Sequence, residues 1–271
     1  MAAILKNSVS LPSKPQYRVC VTRFLTWNGN RPINEETLRE YFKYLGSFMS
    51  PASVRLAKTS IKLWILKTHS KRNDLNFRNG IQAFFREIKV SKPNITVSDS
   101  KLLSERELKL LIRKLPLKYS LILRVLYGTG SRVSEVLSIK IVNCKHLKTH
   151  IETKVIGKGG KEHVLIISKD LFERIGKVFG GKEFLFENSS TGKPYTRQLV
   201  HRNFNDVGLR ELKRRVYPHQ TRHSRISHLL RQGKPIDAVS RFANHFDPSF
   251  TAKVYGQNKL QAKEILDSCY I

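Results

Sequence analysis

Four short segments beyond residue 128 carry side chains suited to handling a phosphate group. The first is Thr129-Gly130-Ser131-Arg132-Val133-Ser134-Glu135. Its glycine turn precedes a helix and puts Arg132 in the first turn. There the free backbone N–H groups and the guanidinium both attract an anion. Glu135, three residues on, shares that face and could orient the arginine. The second segment, Gly157-Lys158-Gly159-Gly160-Lys161, is a turn whose lysines can reach outward and whose ammonium can donate a proton. The third is His219-Gln220-Thr221-Arg222-His223. His219 and Arg222 project from one helical face, a guanidinium beside a titratable ring. His219 and His223 also stand four apart, as zinc ligands can, but no glutamate lies between them and no third ligand is in view, so no metal is expected. His223 and His228 read as packing and helix-surface histidines. The fourth segment joins His245 to Tyr255, ten residues later. Taken singly, each segment is better read as an ordinary structural feature.

These residues need elements to hold them. Asn34, Glu35 and Glu36 open one helix, with Leu38, Tyr41, Phe42 and Leu45 at helical spacing. Ser50-Pro51 opens another. Its apolar stripe is Val54, Ala57, Ile61, Trp64 and Ile65, and its other face carries Arg55, Lys58, Lys62 and Lys67. A further helix covers roughly 81–88. Residues 89–103 are polar with little periodicity and read as a linker region. Ser104-x-x-Glu107 is a capping box, and 117–127 is an apolar helix. Residues 149–156 and 163–168 read as strands flanking the glycine-lysine turn. Helices follow at about 168–179, 196–207, 219–232 and 235–244, with a short one from Ser249 to Tyr255.

Charge narrows the partner. In 271 residues, 50 lysines and arginines face 21 acidic side chains, a net charge of +29. Both halves of the chain share the excess. A surface so basic repels itself unless a polyanion neutralises it, and nucleic acid is the default polyanion. The basic face of the second helix (Arg55, Lys58, Lys62) and Lys161 are the candidate phosphate contacts. Three widely separated cysteines without metal spacing read as reduced thiols. No signal peptide or membrane-length apolar run is evident, so a cytoplasmic, nucleoid-associated protein is expected.

In order, the four segments resemble the tyrosine recombinase family, which includes phage integrases and Xer-type resolvases. The family's Arg, Lys, His-x-x-Arg, His, Tyr series falls on Arg132, Lys158, His219, Arg222, His245 and Tyr255, within TGSRVSEVLSIK, VIGKGGKEHVLII and HQTRHSRISHLLRQG. The resemblance covers roughly residues 104–256. Two departures stand out. Asn244 replaces the glycine usual before the second histidine, and ten residues rather than nine separate His245 from Tyr255.

The resemblance implies a mostly α fold with a small β-sheet (α+β). A helical DNA core-binding domain would span 1–92, a linker 93–103, and a catalytic domain with a C-terminal tail 104–271. It implies cleavage and rejoining of double-stranded DNA through a 3′-phosphotyrosyl bond to Tyr255. Arg132 and Arg222 would clamp the phosphate, with hydrogen bonds from His219 and His245. His219 would also serve as proton acceptor for Tyr255, Lys158 as the acid for the departing 5′-oxygen with Lys161 in reserve, and Glu135 as the orienting group. It further implies a homotetramer on two DNA sites, with no metal, cofactor, membrane or small-molecule substrate. The alternatives are a type IB topoisomerase that reseals the original strand, or a catalytically idle DNA-binding regulator on the same fold.

Overall fold

In the computed structural model, residues 10–91, 99–157, 160, 162–244 and 248–255 are described. The chain divides into two compact units, Met1–Asn94 and Ile95–Ile271.

The first unit is built of helices α1 (Pro15–Asn28), α2 (Glu35–Phe48), α3 (Pro51–Thr68) and α4 (Leu75–Glu87). Their starts follow from local chemistry. Asn34 accepts the Thr37 N–H, while Thr37 Oγ1 accepts the Asn34 N–H. Ser50 caps α3 ahead of Pro51, and Asp74 caps α4, which starts six residues earlier than the apolar periodicity suggested. The inward faces converge on Phe24, Tyr41 and Trp64, packed edge to face.

The basic face of α3 is partly spent inside this unit. Lys58 Nζ donates to the Ile88 carbonyl at 2.5 Å and Arg55 to that of Val90 at 3.4 Å. Both side chains therefore satisfy carbonyls at the end of α4, where a helix favours positive charge. Burial, then the like charges of Lys62 and Arg55, holds the Lys58 ammonium below its ordinary pKa.

The second unit is organised around α6 (Leu117–Thr129), whose Leu121, Ile122, Leu123, Val125 and Leu126 are all buried. Around it pack α5 (Glu105–Lys114), α8 (Lys169–Phe179), α9 (Arg197–Leu212) and α10 (Pro218–Arg231). A short α7 (Val133–Leu137) leads into an antiparallel sheet in the order β1 (Cys144–His146), β2 (His150–Ile156), β3 (Glu162–Ser168). A small ribbon, β4 (Glu187–Asn188) with β5 (Lys193–Pro194), precedes α9. Helices α11 (Ile236–Phe242) and α12 (Pro248–Tyr255) close the described part. The strands alternate as half-buried strands should: Ile151, Thr153 and Val155 point inward from β2, Leu165 and Ile167 from β3. Strand β1 was not anticipated, because three residues carry too short a pattern.

The last residues of the stretch read as linker belong to this unit's core. Leu102 and Leu103 are buried, and the Leu103 N–H donates to Ser224 Oγ. Arg214 donates to the carbonyls of Ser100 and Leu102 and pairs with Glu107 at 2.6 Å. Gln220 donates to the Lys101 carbonyl. These bonds are long-range, and a local polarity pattern cannot reveal them. Among the described residues no helix is long and apolar enough to cross a membrane.

Candidate active site

The site is built where α6 ends. Gly130 terminates that helix in the left-handed conformation (φ 63°), which glycine adopts without steric cost. A Cβ there would lie 2.6 Å from a ring carbon of Phe242. The turn delivers Arg132 as the residue capping α7, rather than inside its first turn as the sequence suggested. Glu135, 2% exposed, accepts the Arg132 backbone N–H and its guanidinium through different oxygens. The arginine's side chain remains 29% exposed. It is thus oriented from beneath and open above, as an anion ligand must be.

Helix α10 begins at Pro218, whose fixed φ suits a first helical position. Its opening turns present His219, Arg222 and His223. Arg222 is 3% exposed and donates to the carbonyls of Gly130 at 2.7 Å and Ala243 at 2.5 Å. Burial and the neighbouring Arg132 push it down to about 10, while Glu135 and Tyr255 oppose that shift. It is still a cation at neutral pH. Arg132 and Glu135 both act electrostatically on Arg222, so two guanidinium groups and one carboxylate give this pocket a net positive charge. Burial, then Arg222 and Arg132, keeps the His219 imidazole below its ordinary pKa even though the residue is partly open to solvent. His219 is therefore neutral at pH 7 and able to accept a proton.

Tyr255 lies at the end of α12, which packs on α11. Val254 and Tyr255 join Ile226, Val239 and Ala243 in a small apolar cluster. Tyr255 is 5% exposed, and burial pushes its phenol up to about 12, with Arg222 pulling the other way. Its hydroxyl oxygen stands 2.6 Å from His223 Nδ1. The structure therefore brings Arg132, Glu135, His219, Arg222 and Tyr255 to one place. Lys158, Lys161 and His245 lie outside the described residues, although the glycine before Lys158 is informative. A Cβ on Gly157 would meet Glu135 Oε1 at 3.2 Å, and Asn244 Nδ2 and His163 Cε1 at 3.4 Å. The root of the β2–β3 hairpin is thus packed against the carboxylate that holds Arg132.

With this geometry in view, comparison with known proteins is decisive. The phage integrase family model matches residues 101–261, more than half of the chain. This chain belongs to the phage integrase family, the tyrosine recombinases. A probable integrase/recombinase protein of Methanocaldococcus jannaschii is 25% identical to it over 96% of this chain and 84% of that relative. Tyrosine recombinase XerA of Pyrococcus horikoshii is 29% identical over 82% of this chain and 83% of its own. The fold is similar to that of the XerH site-specific recombinase bound to difH substrate in a pre-cleavage complex (TM-score 0.67, 17% identity, 94% of this chain and 78% of that one). It is also similar to a lambda integrase dimer bound to a core site (TM-score 0.64, 14% identity, 86% of each chain).

Two histidines of the recombinase's pocket escaped the sequence reading. His163 Nε2 lies 3.7 Å from Glu135 Oε2, and burial lowers its pKa, with Glu135 opposing and Arg132 and Arg222 reinforcing. The signal was present: opposite Val155 in the ladder, His163 is a polar residue on the inward face of a strand. His223, read as a packing residue, instead sits against the Tyr255 hydroxyl. Its spacing from His219 placed it on the site's face, but nothing in the sequence showed that α12 returns to meet it. His228 keeps its packing role, bonded through Nδ1 to the Tyr127 hydroxyl at 2.8 Å.

Proposed function

We propose that this chain is a site-specific DNA recombinase in which Tyr255 attacks a phosphodiester held by Arg132 and Arg222, giving a 3′-phosphotyrosyl intermediate. The observation that carries this reading is one pocket in which a buried phenol, a buried guanidinium and a second guanidinium braced by Glu135 converge. Phosphoryl transfer concentrates charge on the non-bridging oxygens, and preorganised cations stabilise it as it develops. Lys158, next to the packed Gly157, protonates the 5′-oxygen, with Lys161 in reserve. His219 and His245 hydrogen-bond the phosphate. The ester conserves the bond energy, so a 5′-hydroxyl from another strand reseals the break without metal or nucleotide.

In this reading the first unit, Met1–Asn94, is the core-binding domain and the second, Ile95–Ile271, whose core takes in Leu102 and Leu103, is the catalytic domain. The partner is double-stranded DNA, in keeping with the net charge of +29 and with similar proteins described as bound to DNA sites. The working assembly is a homotetramer on two DNA sites, acting at the nucleoid.

The test begins by selecting bound duplexes from a random pool and nicking the selected sequence to trap covalent protein–DNA complex. The parent chain and Tyr270→Phe should form the complex, while Tyr255→Phe should bind equally well and form none. An adduct from Tyr255→Phe, or a DNA-linked peptide containing Tyr270, overturns the assignment. A two-site plasmid then separates recombination from simple relaxation.

A further inference from the structure

We propose that His223 receives the Tyr255 proton at Nδ1 during strand cleavage, the task that the family resemblance would have given to His219. The inference rests on Tyr255 as the nucleophile.

The geometry points to His223 directly. Tyr255 Oη and His223 Nδ1 are 2.6 Å apart, a short hydrogen bond, with the rings tilted at 47°. A phenol buried this deeply is a weak nucleophile until its proton leaves, and among the described residues the His223 imidazole contacts its oxygen. His219 instead meets His223 edge to face, with ring centroids 4.4 Å apart. The three groups run in sequence: a phenol on α12, then His223, then His219, an exposed residue one turn earlier on α10. Among the described residues, the titratable groups that face His223 include Tyr255 from α12 and His219 from its own helix, while Arg222 acts on the Tyr255 phenol.

With its ring hydrogen on Nε2, His223 accepts at Nδ1. The Oη–H bond breaks and its proton goes to Nδ1, while the Oη electron pair forms the bond to phosphorus. The bond from phosphorus to the 5′-oxygen breaks, and that oxygen keeps the electron pair and takes a proton from Lys158. Rejoining reverses each transfer, and His223 gives the proton back.

The experiment uses the intact chain and the nicked duplex selected above. His223→Asn retains a hydrogen-bonding atom near Nδ1 but cannot hold a proton. Its covalent-complex formation should be slower by about 10²-fold at neutral pH, within the range for lost acid–base assistance, with unchanged DNA affinity. Replacing Tyr255 by a fluorinated tyrosine, whose phenol ionises more readily, should restore most of the rate, as should raising the pH. His223→Asn cleaving at the parental rate overturns the proposal. So does a loss that neither the fluorinated phenol nor higher pH relieves, because His223 would then only pack against Tyr255. A second measurement needs no variant at 223. The ¹⁵N shifts of the His223 ring in the parent chain should show Nδ1 unprotonated and accepting, and Tyr255→Phe should change them. A proton on Nδ1 refutes the idea. A covalent complex from Tyr255→Phe would sink the nucleophile assignment and this proposal together, whereas the outcomes above sink this one alone.

Discussion

Glu135 holds Arg132 at both ends, accepting the backbone N–H at 2.8 Å through one carboxylate oxygen and the guanidinium at 2.7 Å through the other. A single buried side chain thereby fixes where the arginine starts and where it points. Glu135→Gln keeps the shape but leaves one acceptor for two donors. Cleavage of the nicked duplex should fall by ~10-fold or more, because about 1.4 kcal/mol of lost transition-state stabilisation is tenfold in rate. DNA affinity should change far less. Thermal melting should show a loss of about 1–3 kcal/mol from the imperfectly satisfied buried pair. An unaltered single-turnover rate would mean that Glu135 merely stabilises the fold.

Gly130→Ala is expected to be costly for two separable reasons. The left-handed backbone disfavours any Cβ by about 1–2 kcal/mol, and this Cβ would also collide with the Phe242 ring. Adding Phe242→Ala should relieve the collision but not the backbone strain. Chemical denaturation of both variants checks this. A Gly130→Ala chain as stable as the parent would contradict the geometry. Cleavage should fall along with stability, since Arg132 follows two residues later and Arg222 donates to the Gly130 carbonyl.

Lys158→Ala should slow cleavage of an ordinary phosphodiester but spare a substrate with a 5′-bridging sulfur, whose leaving group needs little protonation. Equal impairment on both substrates removes Lys158 from the acid's role and makes Lys161 the next residue to test.

DNA affinity should depend steeply on salt. If about 6–10 phosphates are neutralised, raising salt from roughly 50 to 200 mM should weaken binding ~10³–10⁵-fold. A nearly flat response would show that the excess basic charge is not spent on the DNA backbone. Because Arg55 and Lys58 already serve carbonyls at the end of α4, Lys62→Ala should reduce the salt slope more cleanly than changes at either of them.

Most of this was legible where the relevant interaction is local. The capping boxes at Asn34 and Ser104 mark their helix starts because cap and partner are three residues apart. The β2–β3 hairpin shows in its alternation. The ordered series Arg132, His219, Arg222, Tyr255 shows because reaction chemistry restricts the residue types. Where tertiary contact decides, the sequence is silent. It did not reveal that 99–103 is stitched to α10, that Lys58 caps another helix, or that His223 faces a phenol. Asn244 is intermediate. As a departure from the family's glycine it looked anomalous, yet its φ of 48° is the left-handed region that asparagine tolerates better than most residues. The corner needed a permissive backbone, and asparagine supplies one.

Arg222 is tied to Gly130, 92 residues before it, and to Ala243, 21 after it. Such a keystone cannot be set early. During synthesis the helices of the first unit emerge long before Ala243 and Tyr255, so that unit can close its own core before Arg222 meets its second carbonyl. A chain that loses the stretch from Ala243 to Tyr255 loses one of the arginine's two carbonyl anchors together with the phenol beside His223.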